Sequence, residues 1–535
     1  MPRTEAAFDY IVVGAGSAGC VLANRLTEDG TNSVLLLEFG GSDRSVFIQM
    51  PAALAYPMNT KRWNWGYHSE PEPHLNNRRL HCPRGKGLGG SSSINGLVHI
   101  RGQREDFDEW ARLGNAGWGF DDVLPYFKRS EDQQSGADAW HGAGGPISVC
   151  TSPDPHVLCD AYIEAGQELG LARNDDFNGA SQEGFGYYHT ISRKGRRSSC
   201  AVAYLRPAMK RTNLQVRTDA LVTSILFEGT RAAGVEVQVD GATQTVRANR
   251  EVLLSAGAFN SPQILQRSGV GPAALLQEHG VPVVLDAPGV GEGLQDHFYV
   301  RTVWKCAQPL TFNDDMATLH GKLGVGLRYL LQRRGPLTVS AGYAGAFVRT
   351  RPEIERPDVQ LYFINFSTDK MGTGLHPFSG FTASMSPLRP QSRGFVRIRS
   401  SDPHDPPAIQ YNYLSTEDDR RTAIDGLKLT RRLMSTAAMK PYVLAEHLPG
   451  ERAKSDEEWL AYAREVGGTV YHPTSTCRMG QDSLAVVDER LRVRGLHGLR
   501  VVDASIMPNV VSGNTNAGVV MVAEKASDLI LQDNR

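Results

Sequence analysis

The chain has 535 residues, with 57 basic against 58 acidic side chains and a formal net charge of -1. This length exceeds that of one ordinary domain, so we expect two. No polybasic block occurs, which argues against nucleic acid or an anionic membrane as a partner and favours a small, neutral substrate.

The first residues carry no apolar stretch of signal-peptide length, and no segment approaches the roughly 20 apolar residues that span a bilayer. The seven cysteines are scattered and show no metal-ligand spacing. We therefore expect a cytoplasmic protein with reduced thiols and no metal site, and we leave peripheral membrane contact open.

A strand, a glycine-rich turn, a helix and a second strand follow one another at the start of the chain. Residues 8–13 and 34–37 are apolar runs of strand length, and residues 20–26 have helical apolar spacing. Glu38 ends the second strand. The turn contains Gly14, Gly16, Ser17, Ala18 and Gly19.

This order predicts dinucleotide binding, because glycine backbone N–H groups reach a pyrophosphate and the carboxylate takes ribose hydroxyls. A glycine-rich turn in an ordinary α/β unit is the alternative. FAD and NAD stay undecided at this point.

Residues 84–96 are dominated by glycine and serine. Such a surface lets backbone press against a planar ligand and offers hydroxyl and N–H groups to phosphate. Composition alone fits a flexible loop equally well.

The middle of the chain predicts two kinds of sheet. Residues 213–239 and 250–254 are predicted as short alternating or buried strands, and residues 261–266 as a helix with a proline near its first turn. Residues 358–366 and 394–399 alternate in the way typical of an antiparallel sheet with one wetted face.

Four segments in a fixed order carry a resemblance to a known family. They are residues 84–96, residues 257–265 closing with 268–271, residues 471–480 and residues 501–505. They resemble the signatures of the glucose-methanol-choline (GMC) oxidoreductases, most of all the bacterial choline dehydrogenase-like and alcohol dehydrogenase members. The resemblance implies FAD as the cofactor.

The resemblance also implies a mixed α/β fold. A Rossmann-like FAD-binding domain is assembled from residues 1–152, 213–302 and 467–535. An antiparallel-sheet substrate domain is assembled from residues 153–212 and 303–466.

Oxidising an alcohol by hydride transfer needs a group that accepts the hydroxyl proton and a donor that holds the resulting oxygen. In the family resemblance the catalytic base falls on His472, and the second active-site position falls on Asn514. Asp296 and His297 match another family segment and are interpreted as structural. We interpret Asn516 mainly as the N-cap of the helix predicted over 519–531, whose N-terminus would stabilise negative charge on reduced flavin.

The same resemblance implies a set of FAD contacts. Trp65 belongs to an aromatic cluster that plain core packing explains equally well. The set comprises Gly14, Gly16, Ser17, Ala18, Gly19, Glu38, Trp65, Arg84, Gly89, Gly90, Ser92, Asn95, Gly96, Val98, Val222, Asp503, Ala504 and Asn516.

Three departures from the family pattern limit what carries over. Ile94 stands where some relatives attach FAD through histidine, so the flavin is expected to be non-covalent. Ser475 replaces a usual glycine, a minor change unless the backbone there needs a positive φ. Tyr343 stands where choline-specific members place a glutamate, which disfavours choline and favours a neutral aliphatic, aryl, polyol or polyether alcohol.

Three functions therefore remain. The first is a flavin-linked alcohol dehydrogenase that passes electrons to a quinone or another carrier, or an oxidase that passes them to O2. The second is a lyase of the same fold without net redox turnover. The third is a nicotinamide enzyme or nucleotide-binding module that uses only the first glycine-rich turn.

Overall fold

The computed structural model describes residues 7–152, 154–339, 341–369 and 373–534. Its strands are β1 (Ala7–Val13), β2 (Val34–Leu37), β3 (Tyr67–His68), β4 (His81–Cys82), β5 (Glu131–Gln133), β6 (Ile147–Val149), β7 (Gly184–Tyr187), β8 (Ser192–Arg193), β9 (Arg196–Arg197), β10 (Leu214–Arg217), β11 (Ala220–Glu228), β12 (Arg231–Val239), β13 (Ala242–Leu254), β14 (Val270–Gly271), β15 (Leu285–Asp286), β16 (Glu292–Leu294), β17 (Phe298–Cys306), β18 (Ala344–Val348), β19 (Val359–Ile364), β20 (Gly380–Pro387), β21 (Gly394–Arg397), β22 (Ala408–Gln410), β23 (Val443–Leu448), β24 (Gly468–Thr469) and β25 (Leu499–Val501).

The α-helices are α1 (Ser17–Leu26), α2 (Val46–Gln49), α3 (Ala55–Met58), α4 (Arg104–Arg112), α5 (Phe120–Ser130), α6 (Val157–Glu168), α7 (Arg206–Ala208), α8 (Gly257–Arg267), α9 (Ala273–Glu278), α10 (Phe312–Ala317), α11 (Leu319–Gln332), α12 (Glu417–Met434), α13 (Asp456–Val466) and α14 (Asn516–Asp533).

One sheet joins strands from three distant parts of the chain. Its order is β10-β2-β1-β13-β12-β11, and β25 pairs with β13. β1 runs parallel to β2 and to β13, while β11, β12 and β13 form antiparallel hairpins. β1 and β2 lie at the centre because their apolar side chains are buried on both faces. The discontinuous first sheet predicted from the sequence is confirmed.

A second sheet is antiparallel, with the order β23-β17-β20-β19-β18-β7 and β24 beside β17. The prediction of one wetted face is wrong for β19, because all six of its residues are buried. Helices α6 and α12 pack on one face, while Tyr362 and Ile364 on the other face line an internal cavity. β21 belongs to a separate three-stranded sheet with β16 and β22.

Helix α8 begins earlier than predicted. It starts at Gly257, so Pro262 lies inside the helix and cannot donate an N–H to the carbonyl of Ala258. The hydroxyl of Thr476 donates to that carbonyl instead, at 2.7 Å. A contact from the C-terminal part of the chain therefore makes the longer helix tolerable.

Two large buried clusters correspond to the two sheets. We retain the predicted division into two domains as a proposal, with two changes at its boundaries. β17 crosses residue 302 and belongs wholly to the antiparallel sheet, and residues from Ile191 to Ala208 pack into the first cluster. Thus mixed α/β architecture is present as predicted, although its segment boundaries shift.

All seven cysteines are free thiols. Among the described residues no group of histidine, cysteine and carboxylate side chains has the arrangement of a metal site. No helix in the described ranges is both long and apolar enough to cross a bilayer.

Candidate active site

The first glycine-rich turn requires glycine for steric reasons. Gly14 has φ +97°, and a Cβ there would lie 2.7 Å from the Ser255 carbonyl oxygen. A Cβ on Gly19 would lie 1.9 Å from the Gly14 oxygen. The N-cap of α1, Gly16, supplies no side-chain hydrogen bond. The turn therefore leaves N–H groups at the positive end of α1 available to an anionic ligand.

The second glycine-rich segment packs directly on the first. The Gly89 N–H donates to the Ala15 oxygen at 2.8 Å. Gly90 has φ +50°, and a Cβ on it would lie 2.8 Å from the Gly16 Cα. Residues 84–96 are thus an ordered wall rather than a flexible loop.

Glu38 is buried where the two segments meet. Its carboxylate accepts hydrogen bonds from the N–H groups of Ala15 (2.9 Å), Gly40 (2.8 Å) and Gly87 (2.9 Å). Burial raises the pKa of Glu38, and these N–H donors oppose that shift. The carboxylate lines the cavity and joins both glycine-rich segments.

The N-terminus of α14 faces the same cavity. The structure corrects the prediction that Asn516 is the N-cap, because the N-cap is Thr515 and Asn516 is the first helical residue. The Asn516 Oδ1 accepts a hydrogen bond from Ser17 Oγ at 2.8 Å. Thr515 makes no side-chain capping bond, so a second uncapped helix end points to the cavity.

The cavity has a volume of about 690 Å³ and extends from the Gly14 turn to His472 and Asn514. Most of the expected cofactor residues line it: Gly14, Gly16, Ser17, Ala18, Glu38, Trp65, Arg84, Gly90, Asn95, Gly96, Val98, Val222, Asp503, Ala504 and Asn516.

Three expected cofactor residues do not line the cavity. Gly19 packs against Gly14, and Gly89 fits beside the hydroxyl of Ser93. The hydroxyl of Ser92 donates to the Gly89 oxygen at 2.6 Å. These residues contact the segments that line the cavity, and so they support the wall without facing the cavity.

His472 and Asn514 come together as predicted, with His472 Nε2 and Asn514 Nδ2 3.2 Å apart. On the other side of the ring, His472 Nδ1 lies 3.0 Å from His297 Nδ1, and His297 Nε2 lies 2.9 Å from the Leu388 oxygen. The carbonyl can only accept, so His297 carries its proton on Nε2 and accepts a hydrogen bond from His472 Nδ1. The lone pair of His472 Nε2 therefore faces the Asn514 amide and the cavity.

The backbone around His472 is also fixed. Its N–H donates to Asp296 Oδ1 at 2.6 Å, and the hydroxyls of Thr469 and Tyr413 donate to Asp296 Oδ2. Asp296 and His297 therefore position His472 directly, through its backbone N–H and its Nδ1 respectively.

Ser475 lies in the left-handed region, with φ +75°. The condition under which serine in place of glycine is more than a minor change is therefore met, because a side chain at this φ is strained.

Burial lowers the pKa of His472 well below 6.5, and the neighbouring His297 and Arg84 lower it further. Burial likewise lowers the pKa of His297 to about 4. The imidazole pair is thus neutral at physiological pH, and the lone pair on His472 Nε2, which faces the Asn514 amide nitrogen and the cavity, can accept a proton.

Gln360 was not anticipated from the sequence. Its Nε2 donates to Asn514 Oδ1 at 3.1 Å and to the Tyr188 hydroxyl at 3.2 Å. Since Oδ1 is engaged by this donor, the Asn514 amide nitrogen is the atom turned toward His472. No local motif marks Gln360, which lies on an otherwise apolar strand.

Aromatic and apolar side chains form the wall near this pair: Tyr299, Tyr362, Ile364 and Val470. Tyr343 does not line the cavity, and its hydroxyl instead accepts a hydrogen bond from Ser152 at 3.4 Å. Position 343 therefore gives no geometric reason to exclude choline from the cavity. Tyr299 and Tyr362 were missed because their strands carry no recognisable motif.

Comparison with known proteins gives one consistent family. The GMC oxidoreductase profiles match residues 8–299 and 390–523. The chain is 46% identical over 528 residues to an oxygen-dependent choline dehydrogenase of Photobacterium profundum, covering 98% of this chain and 93% of the relative. It is 44% identical over 525 residues to the enzyme of the same name from Brucella canis, covering 98% and 95%.

Solved structures agree with this result. Pyridoxine 4-oxidase from Mesorbium loti superimposes with a TM-score of 0.88 at 32% identity, covering 97% of this chain and 98% of that one. An Aspergillus oryzae RIB40 formate oxidase variant, studied for FAD modification, gives a TM-score of 0.92 at 25% identity and covers 99% of both chains.

Proposed function

Since the chain belongs to the GMC oxidoreductase family, we propose that it oxidises a neutral alcohol to an aldehyde or ketone with non-covalently bound FAD. The family implies a flavin and a CH–OH donor. The proposal of alcohol oxidation rests on one observation, the row of hydrogen bonds that links the Leu388 carbonyl, His297, His472 and Asn514.

The cavity fits FAD by two independent features. Gly14 and Gly90 line the cavity with backbone alone, so a pyrophosphate can approach the chain closely there, and the backbone of Ser255 and Gly16 leaves no space for a Cβ on either glycine. The ends of α1 and α14 both lack side-chain caps, so each offers N–H groups to negative charge. We propose that Gly16 and Ser17 hold the pyrophosphate, Glu38 the ribose, and Asn516 the flavin end.

Non-covalent binding is supported by Ile94. Its hydrocarbon side chain lines the cavity at the position where some relatives carry the attaching histidine. A hydrocarbon side chain cannot form such a link. Denaturation should therefore release the whole flavin into the protein-free fraction.

The reaction uses the lone pair on Nε2 of His472. His472 Nε2 accepts the hydroxyl proton of the alcohol while the Asn514 amide donates to the same oxygen. FAD, when bound, supplies the acceptor for the hydride that leaves the carbinol carbon. His297 accepts the hydrogen bond from His472 Nδ1 throughout, which keeps the imidazole in the orientation that presents Nε2.

The carboxylates of the cavity wall support a neutral substrate. In the described ranges the carboxylates lining it are Glu38, Asp369, Glu465 and Asp503. Glu38 and Asp503 are buried and bonded to backbone N–H groups. The side chains of Asp369 and Glu465 are 79% and 58% exposed, respectively. None is a buried counter-charge beside the His472–Asn514 pair.

Choline is the second candidate, because the relatives cited above are choline dehydrogenases and Tyr299 and Tyr362 could face a cation. For the electron acceptor we propose a quinone or another carrier, with O2 as the alternative suggested by the oxidase neighbours. The seven free thiols support a cytoplasmic location.

The test is anaerobic stopped-flow reduction of the bound flavin with aliphatic, aryl and polyol alcohols and with choline, followed by mixing with air. Rapid bleaching by a neutral class supports the proposal, and bleaching by choline alone replaces the neutral substrate with choline. Fast reoxidation by air assigns an oxidase. No bleaching by any alcohol, with flavin bound, overturns the proposed oxidation and favours a lyase.

His472→Ala provides the matched test of the base. It should retain FAD and slow flavin reduction by about 100-fold or more, the usual contribution of a general base. Wild-type rates in this variant would show that another group takes the proton. Asn514→Ala should also retain FAD and slow the same step.

A further inference from the structure

Helix α11 exposes an apolar stripe. Leu319, Leu323, Leu327, Leu330 and Leu331 are between 55% and 80% exposed. Their spacing of three or four residues puts them on one side of the helix. Tyr329 is the buried residue of this helix among those described. A surface helix normally buries such a stripe against the protein core, whereas the leucines of α11 face outward and more than half of each is exposed.

A second group of exposed apolar residues lies beside it. Val46, Phe47 and Tyr56 on α2 and α3 are 59%, 42% and 50% exposed, and the rings of Phe47 and Tyr56 are 4.4 Å apart. The 3-10 turn after α11 (Pro336–Thr338) packs on the 3-10 turn between α2 and α3 (Pro51–Leu54). The two exposed groups therefore belong to one side of the molecule.

The β8–β9 hairpin joins the same side. The Tyr329 hydroxyl donates to the Gly195 oxygen at 3.2 Å, and β9 contacts α2. Arg193, Lys194 and Arg196 on this hairpin are exposed. We call the surface made by the exposed apolar residues of α2, α3 and α11, with these three basic residues and Lys322, the apolar–basic face.

The charged residues of this face are all basic, and the acidic residues next to it are Asp154 and Asp315, which lie near Arg328. No aspartate or glutamate occurs from residue 316 to 352 or from residue 184 to 218. Arg328 and Arg334 are paired with Asp154, at 2.9 Å and 3.3 Å. The exposed cations of the hairpin and Lys322 remain beside the leucines.

We propose that the apolar–basic face docks on an anionic phospholipid bilayer. Leucine and aromatic side chains next to lysine and arginine are the composition of a surface that lies in a membrane interface, where the apolar groups enter the acyl boundary and the cations meet lipid phosphates. A second copy of the chain fits less well, because a symmetric contact would bring the same cations together.

The face is the outer side of a cavity wall. Leu54 and Met58 line the cavity from the segment whose outer surface exposes Tyr56. Docking therefore places this wall against the bilayer, where apolar alcohols and membrane-soluble electron acceptors are concentrated. The docking itself does not depend on the proposed reaction, so a failure of one leaves the other testable.

The experiment is flotation of the FAD-loaded protein with vesicles of phosphatidylcholine alone or of phosphatidylcholine and phosphatidylglycerol in equal parts. Binding is expected only with the anionic vesicles and should weaken as salt is raised. Arg193→Gln/Lys194→Gln/Lys322→Gln should lower the partition coefficient about a hundredfold, since each basic residue near the surface contributes about fivefold.

The apolar half is tested by Leu323→Gln/Leu327→Gln/Leu331→Gln, which should abolish flotation. Leu444→Gln/Leu484→Gln removes two exposed leucines elsewhere and should leave flotation unchanged. Circular dichroism and flavin absorption verify folding of each variant. The wild-type comparison of the two lipids decides the proposal even if a variant misfolds.

Absence of flotation with anionic vesicles overturns the proposal. Equal binding of the wild type to neutral vesicles overturns its electrostatic part. Light scattering that shows a dimer dissociated by the triple leucine change, without lipid binding, assigns the face to a second copy instead.

Discussion

Gln360 should control the chemistry by fixing the Asn514 amide. It is buried on β19 and donates to Asn514 Oδ1 at 3.1 Å. The Tyr188 hydroxyl, which Gln360 also contacts, donates in turn to the Leu361 oxygen at 2.7 Å. This arrangement keeps the Asn514 nitrogen turned toward His472 and the cavity, where the proposed alcohol oxygen would lie, so Gln360 is a positioning residue.

Gln360→Met keeps the length of the side chain and removes the donor. Asn514 Oδ1 then has no donor, and the amide is no longer held in the orientation that turns its nitrogen toward His472 and the proposed substrate oxygen. Leaving a buried acceptor without its hydrogen bond costs about 1–3 kcal/mol. If this loss falls on the transition state, flavin reduction slows by about 5- to 150-fold.

The assay is anaerobic flavin reduction at saturating alcohol, with flavin content measured on the same sample. Gln266→Met is the control, because this buried glutamine bonds to backbone groups of Val290, Val396 and Ile398 and should affect stability but not the rate. Gln360→Glu should approach the wild-type rate at low pH, where the acid can donate, and fall as pH rises. Full activity of Gln360→Met at every pH would refute the orienting role.

Three further outcomes concern the elements that hold the site. In the folded protein the pKa of His297 is lowered from 6.5 to about 4, so the unfolded chain binds more protons than the folded one between these pH values. The contribution of His297 to the free energy of unfolding is therefore fully present above pH 6.5 and is lost as the pH falls to about 4. The loss of folding free energy is at most about 3 kcal/mol, or about 3 °C in Tm for a chain of this size. In thermal scans at several pH values, His297→Gln should flatten the fall of Tm between pH 6.5 and about 4. Equal slopes of Tm against pH in the wild type and the variant would contradict this prediction. Ser475→Val should lower Tm, because a branched side chain at a left-handed φ costs about 1–3 kcal/mol, whereas Ser475→Gly should not lower it, because glycine adopts this φ without strain. Equal Tm values for the two variants would show that φ there relaxes. Thr476→Val should lower the free energy of unfolding by about 1–2 kcal/mol, because the Ala258 carbonyl loses its donor. Adding Pro262→Ala should recover part of this loss, because residue 262 then donates an N–H to the same carbonyl. A double-mutant cycle measures this coupling.

The strand–turn–helix–strand unit at the start of the chain was predictable because its causes are local. Apolar runs set β1 and β2, and glycines at 14 and 19 are required where backbone atoms come within contact distance. Glu38 follows the second strand as expected. The motif around His472 was recognisable for the same reason, although its resemblance to a family supplied the role.

The errors arose where a distant contact changed a local preference. α8 extends back to Gly257 because Thr476 satisfies the carbonyl that Pro262 cannot. The same kind of effect shifted the N-cap of α14 from Asn516, whose side chain is engaged by Ser17. β19 is buried on both faces because helices cover one and the cavity wall forms the other.

By itself the sequence determined the strand–turn–helix–strand pattern at the start of the chain, because its steric requirements are local. The mixed fold and the pair of residues at 472 and 514 were predicted through the resemblance to a family, which short motifs made recognisable. The tertiary structure alone decided how that pair is oriented, since His297 is 175 residues from His472 and Gln360 is 154 residues from Asn514. It also decided the surface charge. The three basic residues of the β8–β9 hairpin come beside α11 only in the folded chain, because electrostatic and apolar contacts act across space and not along the sequence.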